Sequence, residues 1–402
     1  MLNGCNIVTQ VPFVIFVLHH ASADPQRQKD QALQQLLSRT LSLQLTMVVV
    51  VVVVVELRAN SYHSFRLTLL RLTAIYVYDV RTFLPKINTI TSVTLIQHFH
   101  TRCRNTNGGG TGFIGRQIIN SLTGKGVSHT CISRMPGPNR ISWHDLECYG
   151  LPENTTAVIN VAGQNVLDPK QRWSEGFKQN VINSRVKTTK LLAEAIINTK
   201  ADAFLTISGV AYYKPNNIEY TEESECEKYD FLSELCHDWE RAAQLPKDSA
   251  TRQVIIRSGV VLGKDGGMIK QIYLPFFIGL GGPIGNGNQY MPWIHVTDLV
   301  NMFFFSLDNK NVQGILNGVA PEIITNKEFT KVFASTMRRP AVIPIPRVAL
   351  NILFNKERAK IMLEGQKVVP KRVKELGFRY QFPDIQSACA EILVGKSIGR
   401  QQ

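Results

Sequence analysis

The chain has 402 residues, enough for one large or two modest domains, and its 44% apolar content supplies ample material for a buried core. Lysine and arginine outnumber aspartate and glutamate by 45 to 31, but the net charge of +14 is spread along the chain without a dense basic run. This argues against a nucleic-acid partner and favours attraction to a phosphorylated small molecule, or simple solubility. Seven cysteines without a C-x-x-C pair predict reduced, intracellular thiols, with neither a disulfide framework nor a metal site.

Residues 1–107 differ in composition from the rest, with four acidic residues against ten basic ones and eight consecutive valines at 48–55. The apolar heart of 41–57 is shorter than the ~20 residues that span a bilayer, so a membrane partner is not expected. Ala21-Ser22-Ala23 looks like a signal-peptidase site, but no basic residue precedes the apolar run before it. We therefore expect a cytoplasmic protein, with an organelle as the alternative if this segment is a targeting peptide.

Three glycines, Gly109, Gly112 and Gly115, have the spacing G-x-x-G-x-x-G. This spacing suits a strand-to-helix turn whose backbone N–H groups approach a pyrophosphate at the positive end of the following helix. Apolar residues at three- and four-residue intervals from Ile114 to Leu122 predict that helix. An ordinary glycine turn is the alternative interpretation.

Strand and helix patterns alternate beyond the glycine motif. The expected strands are 130–133, 157–161, 203–207 and 253–256, and the expected helices are 171–198 and 231–244. This alternation predicts an α/β fold with a Rossmann-like, doubly wound parallel sheet. Loops rich in glycine, proline and aromatic residues after Gly259 predict a small substrate-side region towards the C terminus. Five glycines from Gly279 to Gly287 indicate a loop that closes over substrate, or an ordinary mobile loop.

The run before the glycine motif departs from this fold. An apolar central strand should end directly at the glycine turn, whereas residues 101–107 read Thr-Arg-Cys-Arg-Asn-Thr-Asn. The nearest apolar stretch, 93–96, lies well upstream. We therefore expect the first strand to be lacking and 1–107 to be a poorly ordered extension foreign to the fold. A nucleotide-binding domain at 108–310 and a C-terminal domain at 311–395 would follow it.

Ordered motifs carry a family resemblance. They are Gly-Gly-Thr-Gly-Phe-Ile-Gly at 109–115, Asn-Val-Ala-Gly-Gln-Asn at 160–165, Ser-Gly-Val-Ala-Tyr-Tyr at 208–213, Arg-Ser-Gly-Val-Val-Leu-Gly at 257–263 and Pro-Trp-Ile-His-Val-Thr-Asp-Leu at 292–299. With them, residues 108–393 resemble an atypical extended short-chain dehydrogenase/reductase of the epimerase-family group called family 39U. The resemblance implies an NADP-dependent oxidoreductase or epimerase of unknown substrate, and a homodimer is compatible with it.

The end of the second strand distinguishes NAD from NADP. A carboxylate there accepts a hydrogen bond from the ribose 2′-OH of NAD, whereas the 2′-phosphate of NADP needs a cation. Arg134 stands at this point, with no acidic residue between Cys131 and Asn139, so NADP is favoured over the alternative of a plain surface arginine.

The expected cofactor contacts combine this reasoning with the resemblance. They are Gly109, Thr111, Gly112, Phe113, Ile114, Gly115, Ser133, Arg134, Val161, Ala162, Gly163, Asn180, Arg185 and Val261. Small residues at 161–163 let a ribose and pyrophosphate lie against the backbone. Asn180, Arg185 and Val261 rest on the resemblance, with a solvated helix face or plain core packing as the alternative.

The catalytic residues follow a weaker pattern. Members of this superfamily use a Ser or Thr to orient the carbonyl and a Tyr as acid/base, with a Lys four residues later that lowers the tyrosine pKa. Ser208 fills the first position, but counting back from Glu240 places Leu232 and Cys236 where the Tyr and Lys belong. Tyr212 and the tyrosine after it are candidate substitutes. We therefore expect Ser208 and Tyr212 to be catalytic, with a catalytically inactive NADP(H) sensor or scaffold as the alternative function.

His295 lies in the motif at 292–299 and could be taken for a catalytic base. We favour a structural histidine whose hydrogen bonds tie the substrate region to the sheet.

Overall fold

The computed structural model describes the backbone of residues 92–96 and, with side chains, residues 112–133, 137, 139–168 and 170–395. All of them lie in one compact unit, Ile90–Gln402. The expectation that residues 1–107 are poorly ordered therefore falls outside the described residues, apart from 92–96.

Seven parallel strands form the main sheet, in the order β10-β7-β5-β4-β1-β2-β3. The strands of the described chain are β1 Ser92–Ile96, β2 His129–Ser133, β3 Arg140–Ser142, β4 Thr155–Asn160, β5 Ala203–Gly209, β6 Glu219–Tyr220, β7 Arg252–Ser258, β8 Val260–Leu262, β9 Trp293–His295, β10 Gly314–Gly318 and β11 Lys367–Val368. The chain leaves β1 in one direction through β2 and β3, and returns to build the other half from β4 outwards. This confirms the predicted doubly wound α/β fold.

Strand β1 lies inside the sheet, between β4 and β2, so the expectation of a missing first strand is wrong. β1 pairs in parallel with β2 from Val93 to Ile96 and with β4 on its other side. The short run Ser-Val-Thr-Leu-Ile has the β-branched and apolar composition of such a strand. The error came from requiring the strand to end directly at the glycine turn, whereas residues 97–107 separate them in the sequence.

Helices cover both faces of the sheet. They are α1 Phe113–Gly124, α2 Trp143–Tyr149, α3 Glu175–Ile182, α4 Thr188–Ile197, α5 Phe231–Ala242, α6 Gly267–Phe277, α7 Val296–Asp308, α8 Asn326–Met337, α9 Arg347–Phe354, α10 Lys356–Leu363, α11 Lys371–Glu375 and α12 Ile385–Val394. One face buries Ile118 of α1 and Phe303 of α7 against the sheet. The opposite face buries Leu146 of α2 and Ile196 of α4. The alternating side chains of the strands therefore feed two separate cores.

The single long helix expected over 171–198 is two α-helices joined by a π-helical turn, Asn183–Lys187. Ser174 is the N-cap of helix α3, and its side chain accepts a hydrogen bond from the Phe177 N–H. Apolar periodicity continues through the joint, which explains why the sequence predicted one uninterrupted helix.

The expected domain boundary at 310 cuts through the sheet, because β10 is its edge strand and pairs with β7. Beyond β10, a further core joins Trp293 of β9 to Phe333 of α8 and Cys389 of α12. Helix α8 begins at a capping box in which Thr325 and Glu328 exchange hydrogen bonds. Helices α8 and α12 thus pack together with β9.

Across the described ranges, no helix combines the length and apolar character needed to cross a membrane.

Candidate active site

The site lies at the carboxyl ends of the strands, between β1 and β4. From β1 the chain continues to one edge of the sheet, and from β4 it continues to the other edge. This switch point is where open α/β sheets form their ligand crevice. Helix α1 begins here, with the buried Gly112 as its N-cap. It has no side-chain cap and no acidic residue in its first turn, as far as the described residues extend. A helix N-terminus that begins at a glycine offers backbone N–H groups and a positive dipole to an anion, so this helix start fits a diphosphate.

Phe113 connects the glycine motif to the loop after β8. An added Cβ at Gly263 would lie 2.6 Å from the Phe113 ring, and one at Gly266 would be closer still. Both positions therefore require glycine while the ring occupies this place. Val261 of β8 is half-buried beside the same core. The packing holds the start of α1 and the loop before α6 together.

The expected cofactor contacts differ in burial, and some of them lie outside the described residues. Gly115 and Ser133 are buried, at α1 and at the end of β2, and Ile114 is half-buried. Gly109, Thr111 and Arg134 lie outside the described residues, so their roles stay predictions. Asn180 is exposed on α3, and among the described residues no hydrogen-bond partner is found for its side chain.

The turn after β4 is braced by polar side chains beneath it. The Asn160 side chain accepts the Ala162 N–H at 3.0 Å and donates to Thr189 Oγ1 at 2.7 Å. The Gln164 N–H donates to Ser184 Oγ at 3.0 Å. Val161 and Ala162 are buried at this turn. These bonds fix the backbone that the sequence predicts to face the cofactor.

Arg185 lies directly under this turn. Its Nη2 donates to the Gln164 carbonyl at 2.8 Å, and its guanidinium lies 5.2 Å from the centre of the Trp239 ring. A Cβ at Gly163 would approach Arg185 Cζ to 3.1 Å, so a side chain there would require the guanidinium to shift. Burial lowers the pKa of Arg185 to about 10. Within the described ranges no carboxylate forms an ion pair with Arg185, so its half-buried guanidinium offers a positive charge to an anionic ligand.

Gln164 was missed as a site residue by sequence reasoning, although the motif at 160–165 contains it. Gln164 is 5% exposed, and neither its side-chain nitrogen nor its side-chain oxygen has a hydrogen-bond partner in the described structure. An unpaired buried amide costs about 1–3 kcal/mol. A ligand bearing both a donor and an acceptor would offset that cost.

Ser208 belongs to a buried network with Glu240 and Arg257. The Ser208 hydroxyl donates to Glu240 Oε1 at 2.9 Å. Arg257 donates from Nε and Nη2 to the two carboxylate oxygens, each at 2.8 Å. Ser208 is 4% exposed, and its proton points at a carboxylate. The geometry favours a positioning role for Ser208, and its expected catalytic role stays a prediction.

The two neighbouring tyrosines have different environments. Tyr213 is fully buried; its hydroxyl donates to Asn317 Oδ1 at 2.8 Å and accepts from Arg257 Nη1 at 2.9 Å. Burial raises the pKa of Tyr213 to about 12. These contacts make Tyr213 a structural residue and leave Tyr212 as the tyrosine able to reach a ligand.

Tyr212 is half-buried and packs against two groups that the sequence did not connect to it. The Arg257 guanidinium carbon lies 3.4 Å from the centre of its ring, and the His237 ring stacks on it at 4.2 Å. His237 Nε2 is buried and has no hydrogen-bond partner among the residues described. Burial lowers the pKa of His237. The imidazole beside Tyr212 is therefore neutral at pH 7.

Helix α5 lacks a Tyr-Lys pair in space as well as in sequence. Cys236 is buried, and its Sγ lies 3.3 Å from the Cβ position of Gly209, at the end of β5. Burial, together with the Glu240 carboxylate, raises the pKa of Cys236 to about 12, so the thiol is neutral. The positive charge of Arg185 acts to lower the pKa of this thiol. Arg185 is therefore close to the position where a lysine was expected.

The contacts of His295 agree with a structural histidine and not with a catalytic base. It is 1% exposed, and its Nδ1 accepts the Thr297 N–H at 3.2 Å, which leaves the proton on Nε2 to donate to Glu391 at 3.0 Å. Asp298 accepts the backbone N–H groups of Gln381 and Phe382 at 2.7 and 2.9 Å. The motif at 292–299 thus fastens the C-terminal region to α7.

Comparison with known proteins accords with this geometry. Residues 108–317 match the model of the NAD dependent epimerase/dehydratase family, and residues 345–392 match a domain of unknown function, DUF1731. An epimerase family protein SDR39U1 from Bos taurus is 48% identical over 290 residues, covering 71% of this chain and 98% of the bovine protein. A chloroplastic homologue from Arabidopsis thaliana is 35% identical over 71% of this chain and 85% of the plant protein.

The chain belongs to the NAD dependent epimerase/dehydratase family. This confirms the resemblance to an epimerase-family short-chain dehydrogenase/reductase of the 39U type. A crystal structure of human SDR39U1 with NADPH is similar at a TM-score of 0.71 and 44% identity, covering 76% of this chain and all of the human one. The family match begins at residue 108, after β1.

Proposed function

We propose that this chain is an NADP(H)-dependent oxidoreductase or epimerase that acts on a small carbonyl or sugar-nucleotide substrate. The observation that carries the proposal is the start of α1 at a buried glycine, with no acidic residue in its first turn, at the switch point of the sheet. The human relative crystallised with NADPH supports the choice of cofactor. When bound, the nicotinamide would give or take the hydride, and the protein would hold the substrate and move a proton.

Arg134 and Arg185 have separate roles in this proposal. Arg134 follows the end of β2, where a cation selects the 2′-phosphate of NADP. Arg185 lies between the ends of β4 and β5, next to Gly163 and Cys236, and supplies the positive charge that the missing lysine would provide. Gln164, with an unpaired amide at the same turn, would hydrogen-bond the nicotinamide or the substrate.

Tyr212 is the proposed proton donor and acceptor, held by stacking on Arg257 and His237. Replacing Tyr212 with phenylalanine removes the hydroxyl but keeps both ring contacts. NADPH oxidation across a panel of carbonyl compounds and sugar nucleotides should therefore fall by about 10²–10⁴-fold, with NADPH affinity unchanged. Tyr149→Phe, an exposed tyrosine on α2, is the matched control. Full turnover by the Tyr212→Phe variant would exclude this assignment.

A second function, an NADP(H)-binding sensor or scaffold without turnover, is favoured by one observation. The positions of the Tyr-Lys pair hold Leu232 and the neutral, buried Cys236. NADPH binding without oxidation or isotope exchange on any member of the panel would support this function. We place either activity in the cytoplasm, with a homodimer as the proposed assembly; the chloroplastic name of the plant relative keeps an organelle as the alternative.

A further inference from the structure

Exposed apolar side chains are concentrated in two segments. In the described part of the chain, ten of the fourteen large apolar residues that are exposed lie at 273–280 and 342–353. They are Tyr273, Leu274, Phe277, Ile278 and Leu280 in the first segment. They are Val342, Ile343, Val348, Ile352 and Leu353 in the second, and we call the two sets together the apolar face. Their exposed fractions range from 45% to 79%.

The two segments adjoin each other. The Ile345 N–H donates to the Pro283 carbonyl at 2.8 Å, and the Gly285 N–H donates to the Ile345 carbonyl at 2.9 Å. The Arg339 guanidinium lies 5.0 Å from the centre of the Phe277 ring. The end of α6 and the loop after it therefore lie against the chain leading into α9.

Helix α9 has apolar residues on both its inner and outer sides. Leu350 is buried, whereas Val348, Ile352 and Leu353 are exposed on the remainder of the helix. A surface helix of a soluble domain ordinarily turns charged and polar residues outwards. An outward apolar side in a cluster of this size marks an interaction surface.

Basic residues outnumber acidic ones around the apolar face. Residues 266–289 and 338–356 contain no aspartate or glutamate, although Asp265 and Glu357 border them, and Glu357 forms an ion pair with Lys178 at 2.8 Å. They contain Lys270, Arg338, Arg339, Arg347 and Lys356. Lys270 precedes Leu274 and Phe277 by four and seven residues, so it lies on the same side of α6. The complementary partner is apolar in its interior and negatively charged at its surface.

We propose that the apolar face docks on the surface of a membrane that contains anionic lipids. Its apolar side chains would enter the boundary between headgroups and acyl chains, and its basic residues would contact lipid phosphates. A second copy of the chain fits less well, because a two-fold contact would place two predominantly basic surfaces against each other. Such docking needs no spanning helix, and it is independent of the proposed function.

The test is flotation of the full chain with vesicles. Vesicles of equal amounts of phosphatidylcholine and phosphatidylserine should bind the chain, and phosphatidylcholine alone should bind it about tenfold less or weaker. Replacing Ile352 and Leu353 together by aspartate should lower binding to anionic vesicles about tenfold or more. The control is Ile218→Asp, which changes a residue 63% exposed outside both segments. The valines at 48–55 are present in every variant, so differences among variants report on the face alone.

A charge variant separates the two contributions. Lys270→Gln with Arg347→Gln should weaken binding to anionic vesicles about tenfold and leave binding to neutral vesicles unchanged. Ile352→Ser with Leu353→Ser repeats the apolar test without adding charge, and thermal melting verifies that each variant is folded. Equal vesicle binding by the original chain and the apolar variants would overturn the proposal. Failure of the original chain to bind anionic vesicles would also overturn it. This holds even if Ile352→Asp with Leu353→Asp dissociates a dimer, because the face would then be an interface between two copies.

Discussion

Replacing Arg257 with methionine should lower the free energy of unfolding by about 3–5 kcal/mol, because the Glu240 carboxylate would stay buried without its partner. Arg257 is 2% exposed and bonds both oxygens of Glu240 at 2.8 Å. The same substitution removes the hydrogen bond to the Tyr213 hydroxyl. Urea unfolding followed by circular dichroism measures the loss.

The matched control is Arg241→Met on the same helix as Glu240. Arg241 is exposed and lies 3.7 Å from the Asp238 carboxylate, so its removal should change stability by about 1 kcal/mol or less. Combining Arg257→Met with Glu240→Leu should recover much of the loss, because no unpaired charge remains buried. Similar small losses for Arg257→Met and Arg241→Met would contradict the role assigned to the buried pair.

Adding one methyl group at Gly112 should weaken NADPH binding on the order of 100-fold, because the diphosphate must approach the backbone at the start of α1. Gly112 is buried and has φ −73° and ψ −175°, an extended conformation that alanine also adopts. Backbone strain therefore contributes nothing to the expected effect. Titration of the Gly112→Ala variant with NADPH, followed by nicotinamide fluorescence, measures the affinity.

Gly124→Ala is the control at the other end of α1. A Cβ at Gly124 would meet no atom within 4 Å, so NADPH affinity should not change. Thermal melting of both variants separates a binding effect from a folding effect. If Gly112→Ala binds NADPH as tightly as the original chain, the diphosphate is not held at this helix end.

Local patterns in the sequence predicted much of the fold. The 3.6-residue periodicity after Gly115 and the short β-type runs gave α1, β2, β4, β5 and β7 nearly as observed. The π-helical turn at Asn183–Lys187 was missed because the apolar pattern runs through it. The position of β1 was missed because sheet order is set by pairing in space, and residues 97–107 separate it from the glycine turn.

The sequence predicted those parts of the candidate site that lie within a single motif, and missed the contacts between residues far apart in the chain. The turn at 161–163 and Ser208 follow directly from strand ends. The contact of Arg185 with Gly163, and the stacking of Tyr212 on His237, join residues about 20 or more positions apart. No periodicity links such pairs. A charged residue at the end of the buried run Val-Ile-Ile-Arg was the available indication for Arg257, because a buried charge requires a partner.

The central claim is that the crevice at the start of α1 binds NADP(H) in preference to NAD(H). The most direct test is equilibrium titration of the purified full chain with NADPH and with NADH, repeated with Arg134→Ser. We expect NADPH to bind about tenfold tighter or more, and Arg134→Ser to remove this preference while leaving NADH affinity unchanged. Equal affinities for the two cofactors in the original chain, or binding of neither, would contradict the claim.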